Sequence, residues 1–167
     1  MKKIGIFYGS TTGTTESIAA QIASHLSVNP TDVYNVGNTN VITADDYEIL
    51  ILGSSTWGSG ELQDDWYDFL DQLVTHNLNG KKIALFGCGD AISFGSTFCD
   101  AVGIIYEKLQ DKGCSFIGAV NPSDYSYDSS AAEVAGQLVG LLIDENNEPD
   151  KTDNRIQNWT DQLKQEI

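Results

Sequence analysis

Apolar residues recur along this chain with two periods in alternation. Lys3 to Tyr8 is a short apolar run that reads as a first strand, and residues 13–26 follow with Thr15, Ile18, Ala19, Ile22 and Leu26 at helical spacing. A second strand is expected over about 32–36. Ile49 to Leu52 is continuously apolar and stops at Gly53, as expected of a parallel strand covered on both faces. Leu62 to Val74 predicts an acidic amphipathic helix that turns Leu62, Trp66, Phe69, Leu70 and Leu73 inward. Lys82 to Phe86 is the next strand, Phe98 to Gln110 the next helix, and Ser115 to Val120 a fifth strand. Leu138 to Ile143 forms a further apolar run, and Ile156, Trp159, Leu163 and Ile167 mark a C-terminal helix.

This strand–helix rhythm predicts an α/β fold: a doubly wound, five-stranded parallel sheet with helices on both faces, in a three-layer sandwich. Asn121 to Ser130 is a polar segment that carries Tyr125 and Tyr127 and reads as an insertion interrupting the fifth strand. Packing within the insertion is the simpler role for both tyrosines. No repeat or low-complexity segment interrupts the pattern, and a length of 167 residues suits one domain spanning 1–167.

In such a sheet ligands bind where the strands end at their carboxyl edge. Three Gly/Ser/Thr-rich loops leave those ends: 9–15, 53–61 and 87–99. The first, Gly9-Ser10-Thr11-Thr12-Gly13-Thr14-Thr15, joins a strand to a helix. Its glycines allow a tight turn. The first helical amides lack intrahelical partners and sit at the positive end of the helix dipole, which makes a phosphate cradle. Ser10, Thr12 and Thr15 can add hydroxyl donors. No Lys follows Gly13, so the nucleoside-triphosphate loop is excluded, and the Gly-x-Gly-x-x-Gly dinucleotide spacing is absent. The cradle suits one phosphate held by neutral donors. The other two loops carry Trp57 and Phe94, two aromatic plates for a planar ring.

Composition narrows the partners. The hydrophobic share of 41% supports a core, and no apolar run approaches the length of a membrane span. The chain starts directly in a strand, without a signal-peptide pattern. Cys88, Cys99 and Cys114 are odd in number and form no C-x-x-C pair, as expected of reduced thiols in a cytoplasmic protein without a metal site. The net charge is −15. From Ile4 to Gly80 there is no Lys or Arg, against ten acids: Glu16, Asp32, Asp45, Asp46, Glu48, Glu61, Asp64, Asp65, Asp68 and Asp71. That distribution argues against nucleic acid and anionic membranes as partners. It serves solubility, or steers a basic protein partner.

Taken in order, these motifs resemble the flavodoxin family of the long-chain type from end to end. Ser10 to Thr15 is similar to its phosphate loop, Trp57-Gly58-Ser59-Gly60-Glu61-Leu62 to its first flavin loop, and Gly87-Cys88-Gly89-Asp90 through Phe98 to its second. The insertion at 121–137, Leu141 to Asn146 and Asp153 to Ile156 resemble the rest of the long-chain pattern. The resemblance implies strand order 2-1-3-4-5 and non-covalent FMN. It implies a low-potential one-electron carrier that cycles between semiquinone and hydroquinone, with no substrate chemistry and no catalytic residue.

Ser10, Thr11, Thr12, Gly13, Thr14 and Thr15 are implied to hold the phosphate. Trp57 is implied on the inner ring face and Phe94 on the outer. Thr56, Gly58, Gly60, Cys88, Gly89, Asp90, Thr97, Phe98 and Cys99 are implied around the ring and its pyrimidine edge. Gly58 is implied to ease a flip of the peptide after Trp57, which presents a carbonyl to the protonated flavin N5. The family usually has Asn where this chain has Thr14, and Tyr where it has Phe94.

Partners of the flavodoxin/ferredoxin-NADP reductase or pyruvate oxidoreductase type, with basic surfaces, are implied for a monomer. An FMN-dependent NAD(P)H or quinone oxidoreductase on the same fold is the alternative; the Lys-free first half argues against it. A phospho-acceptor domain would need acids where Gly9 and Gly53 stand. His25 and His76 read as ordinary helix-associated residues. Asp144 to Arg155 superficially resembles a calcium loop, but has Pro149 where Gly is needed and Arg155 where Glu is needed.

Overall fold

A computed structural model describes residues 2–167. Thirteen regular elements follow one another: β1 (Ile4–Gly9), α1 (Thr14–His25), β2 (Val33–Asn35), β3 (Ile49–Trp57), β4 (Glu61–Leu62), α2 (Trp66–Leu73), β5 (Lys82–Cys88), α3 (Asp100–Leu109), β6 (Ser115–Ile117), β7 (Glu133–Val134), β8 (Gln137–Leu138), β9 (Gly140–Ile143) and α4 (Thr152–Glu166). The main sheet runs β2-β1-β3-β5-β6, every neighbouring pair parallel, and β9 continues the outer position by pairing with β5 beyond β6. The sheet is therefore the expected doubly wound one, with the fifth strand split into β6 and β9. Short 3-10 turns fill several connections.

The continuous apolar strands follow from burial on both faces. Phe7, Leu50, Leu52, Ile83 and Leu85 pack against Trp66, Phe69 and Leu70 of α2 and Val102 and Ile105 of α3. Ile6, Ile51, Ala84, Phe86, Leu141 and Ile143 pack against Ile18 and Ile22 of α1 and Ile156, Trp159 and Leu163 of α4. Alternate residues of one strand thus enter opposite cores, as the two-residue side-chain period requires.

Several boundaries differ from the sequence reading, among them β5, which runs on from Phe86 to Cys88. Strand β3 does not stop at Gly53 but runs on to Trp57, because Gly53 leaves room for the Phe86 ring; a Cβ there would lie 2.1 Å from it. Leu62 is not helical. Gly58 and Gly60 adopt φ of +53° and +93°, the chain reverses, and Glu61–Leu62 pairs antiparallel with Thr56–Trp57. Helix α2 then begins only at Trp66, where Leu62 is already buried as a strand residue. Helix α3 starts at Asp100 rather than Phe98, after Cys99 at φ +52°. Strand β6 ends at Ile117 because Gly118 turns at φ +82° with Trp159 packed against it.

The insertion holds a 3-10 turn and the β7–β8 hairpin. The Tyr125 hydroxyl donates to Leu142 O at 2.6 Å, and Tyr127 stacks on Phe98 with ring centroids 5.4 Å apart.

Candidate functional site

The three expected loops meet at the carboxyl edge of the sheet. They enclose a cleft of about 280 Å3 lined by Thr12 and Thr14 from the first loop and Thr56, Trp57 and Gly58 from the second. Cys88, Gly89, Asp90, Phe94, Thr97 and Cys99 line it from the third. Trp57 is 40% exposed and Phe94 53%, unusual values for aromatic side chains in a chain whose other tryptophans are buried. Each belongs to a different loop, and both line the same cleft. The Trp57 indole N–H donates to Ser55 Oγ at 2.7 Å, which fixes the ring at the end of β3.

Helix α1 opens on this cleft. Gly13 caps it at φ +95° and no side chain bonds its first amides. Those amides have no intrahelical acceptor, so they and the Thr12 and Thr14 hydroxyls are donors for an anion. An adjoining cleft of about 380 Å3 shares Thr12 and Thr14 and extends over Gly13 to Thr152. Neither cleft has a lining Lys or Arg. The donor set fits one phosphate held by neutral groups, and the two exposed rings fit a planar heterocycle beside it.

The remaining expected residues shape the cleft without lining it. Ser10 Oγ accepts from the Gly13 N–H at 3.1 Å and closes the turn of the first loop. Thr11 Oγ1 accepts from the Gln63 side-chain amide at 3.2 Å. Thr15 is buried and its hydroxyl donates to Cys88 Sγ at 3.6 Å. Gly60 is buried, and its N–H donates to Trp57 O at 3.2 Å. Phe98 is a core residue under the insertion.

The electrostatics are negative. Asp90 accepts the Ile92 and Ser93 backbone N–H groups at 3.1 and 2.9 Å and the Asn147 side-chain amide at 2.8 Å. Chiefly the Ser93 amide, with Asn147, holds its carboxyl down at about 2. Burial pushes the Cys88 thiol up to about 12, against a smaller opposing effect of the Thr15 hydroxyl. Burial, and then the neighbouring Cys88, also raise Cys99 well above the usual thiol range. Both thiols therefore stay neutral at the cleft floor.

Several contributors escaped the sequence reading. Ser55, Glu145 and Asn146 line the cleft. Gln63 is buried, takes the Asp65 N–H on its carbonyl at 3.0 Å, and joins the first loop to the start of α2. Asp144 is wholly buried and accepts the Ala91 N–H at 3.1 Å and the Asn147 N–H at 3.1 Å, tying the third loop to the chain after β9. The superficial calcium-loop resemblance is thus a set of internal hydrogen bonds. Asp144 follows a strand and precedes two asparagines, a turn-forming signature that could have marked it. Gln63 carried no such mark.

A further cleft, of about 500 Å3, lies at the opposite, amino-terminal end of the strands. Two of its lysines are used internally: Lys81 Nζ donates to the Asp45 and Tyr47 carbonyls, and Lys82 Nζ donates to Glu166 O at 2.6 Å. Among the described residues no helix is long and apolar enough to cross a membrane.

Comparison with known proteins agrees with this geometry. The family model described as "Flavodoxin" matches residues 6–159. A flavodoxin of Buchnera aphidicola subsp. Baizongia pistaciae is 42% identical, over 100% of this chain and 97% of its own. Flavodoxin 1 of Azotobacter vinelandii is also 42% identical, over 100% and 98%. Among solved structures, Fusobacterium nucleatum flavodoxin bound to flavin mononucleotide superposes with a TM-score of 0.93 at 32% identity, covering 100% of this chain and 99% of its own.

Proposed function

The chain belongs to the flavodoxin family, and on that premise we propose that it is a low-potential one-electron carrier whose non-covalent cofactor is FMN. One observation carries the reading: two exposed aromatic rings from separate loops share a cleft with an uncapped helix N-terminus and two threonine hydroxyls. Bound there, FMN would supply single-electron oxidation and reduction, between its one-electron-reduced and fully reduced forms.

The protein's own groups do the rest. The α1 amides with the Thr12 and Thr14 hydroxyls would anchor the phosphate, in a turn that Ser10, Thr11, Gly13 and Thr15 shape. Trp57 and Phe94 cover the ring and exclude water. Backbone groups at Cys88, Gly89, Asp90 and Cys99 would meet the pyrimidine edge. Gly58, already at φ +53°, has no side chain to oppose rotation of the adjoining peptide, whose carbonyl would be free to accept from a ring N–H of bound FMN. Asp90 and Glu145 line the cleft, and Glu61, Asp64 and Asp65 stand on the adjoining hairpin and α2 approach, so added negative charge is disfavoured there. The donors are neutral and no lining cation offsets that field, which favours a strongly reducing couple.

The acidic half suits docking with basic-surfaced redox proteins of the flavodoxin/ferredoxin-NADP reductase or pyruvate oxidoreductase type, with this chain acting as a monomeric single domain. Three unpaired thiols fit a reducing, cytoplasmic setting. The test is a visible spectrum of the purified protein followed by FMN titration of the cofactor-free form. An FMN band and saturable quenching of flavin fluorescence support the carrier; their absence overturns it. Steady NAD(P)H oxidation by the protein alone would favour the oxidoreductase alternative instead.

A further inference from the structure

Ser55 and Trp57 stand two residues apart on β3, so their side chains leave the same face of the strand. The Trp57 indole N–H donates to Ser55 Oγ at 2.7 Å, and both residues line the cleft. Ser55 is itself well held. It stands opposite Cys88 in the β3–β5 pairing, and its carbonyl accepts from Ser54 Oγ at 2.8 Å. Ser54 Oγ in turn accepts the N–H of buried Gln63 at 3.2 Å. The acceptor for the indole thus sits on a part of β3 that the sheet fixes, whereas Trp57 ends the strand, next to Gly58 at φ +53°.

The torsion that turns an indole about its Cβ is broad and roughly two-fold, so two ring orientations compete. Only one of them lays the N–H over Ser55. For the other two tryptophans the core makes this choice. Trp66 and Trp159 are buried and donate their N–H groups to the Gly53 and Gly118 carbonyls, each at 2.8 Å. Trp57 is exposed and belongs to neither core, so packing does not select its orientation. The Ser55 hydroxyl does.

From this arrangement we infer that Ser55 is a positioning residue that selects the orientation of the Trp57 ring before a ligand arrives and, by engaging the indole N–H, leaves the plate to act through its π face alone. The inference rests on the FMN reading above only for the identity of the ring stacked there. An unrestrained indole loses rotational freedom when a ligand stacks on it. One already held by Ser55 loses less, so the same contact yields more affinity.

The test compares Ser55→Ala and Ser55→Thr in two backgrounds: the unaltered chain and Trp57→Phe, whose phenyl ring has no N–H to donate. In the cofactor-free protein, proton–nitrogen NMR follows the indole N–H resonances, and the one missing from Trp57→Phe belongs to Trp57. Ser55→Ala is expected to shift that resonance and speed its solvent exchange by about threefold or more, with those of Trp66 and Trp159 unmoved. Fluorescence quenching then measures flavin affinity. Ser55→Ala is expected to weaken FMN and riboflavin alike by about threefold, within the range of one neutral hydrogen bond. Ser55→Thr keeps the hydroxyl and is expected to retain both properties. In the Trp57→Phe background, Ser55→Ala is expected to leave affinity unchanged, because the bond is already gone. An Ala variant that behaves like the unaltered chain, a Thr variant as defective as the Ala one, or an equal loss in the Phe background overturns the proposal. Should the unaltered chain take up no flavin, the carrier reading fails, while the Trp57 resonance and its exchange still support or overturn the positioning role.

Discussion

The Gln63 side-chain amide donates to Thr11 Oγ1 at 3.2 Å, joining the first loop to a residue 52 positions away at the entrance to α2. The same amide nitrogen donates to Asp65 Oδ2 at 2.9 Å, and the Gln63 backbone N–H donates to Ser54 Oγ at 3.2 Å. A buried glutamine with this many partners fixes the loop's position rather than touching the ring.

Replacing Gln63 with Ala should therefore act on the phosphate end alone. It is expected to cost about 1 kcal/mol of stability through the lost side-chain bonds. It should weaken FMN several-fold while leaving riboflavin, which lacks the phosphate, nearly unchanged. Parallel titrations of the two flavins check this; equal weakening of both would place the effect at the ring.

Removing a plate should act on the ring end. Stacking of a planar heterocycle on an aromatic side chain contributes about 1–3 kcal/mol. Trp57→Ala is therefore expected to weaken both FMN and riboflavin by roughly five- to 150-fold. Phe94→Ala should do the same to a smaller extent, since a phenyl ring offers less area than an indole. Phe94→Tyr should keep the binding. Fluorescence titration of each variant measures these differences.

Acid should loosen the third loop. The folded pKa of Asp90, about 2, lies below its unfolded value near 3.8, so its ionised form is favoured by folding. Its stabilising contribution is thus fully present above about pH 4 and is lost as the pH falls from there toward about 2. Denaturant titrations across that window should show stability falling in the native chain, with a shallower decline in Asp90→Asn. A parallel decline in both would assign the acid sensitivity to other carboxylates.

Charge steering should appear in rates. With no Lys or Arg between Ile4 and Gly80, electron transfer to a basic reductase is expected to slow as salt rises past about 0.15 M, where the screening length is about 8 Å. Stopped-flow rates at increasing ionic strength measure it, and rates independent of salt would remove the steering role.

Much of the fold was legible from period alone. Ile49 to Leu52 read as a strand buried on both faces, and Ile18, Ala19 and Ile22 as one face of a helix, and all seven are buried. The three loops were legible as a site because Gly, Ser and Thr cluster at the ends of three such strands. Leu62 misled because its apolar spacing to Trp66 and Phe69 is helical, whereas positive φ at Gly58 and Gly60 had already turned the chain back onto β3. Phe98 misled in the other direction: its place beside the third loop suggested the ring, and its side chain instead lies buried against Tyr127.

By itself the sequence determined what depends on neighbours a few residues apart: the strands and helices, the turn that opens α1, the exposed aromatic plates and the sign of the field around them. Tertiary structure alone decided what depends on residues far apart meeting, such as Gln63 with Thr11, Asp144 with Ala91, and Asp100 with Ala131 and Gly60. Hydrogen bonds and close contacts of that kind leave no period in the chain. Their geometry exists only after the hydrophobic layers have brought the loop-bearing strand ends to one edge of the sheet.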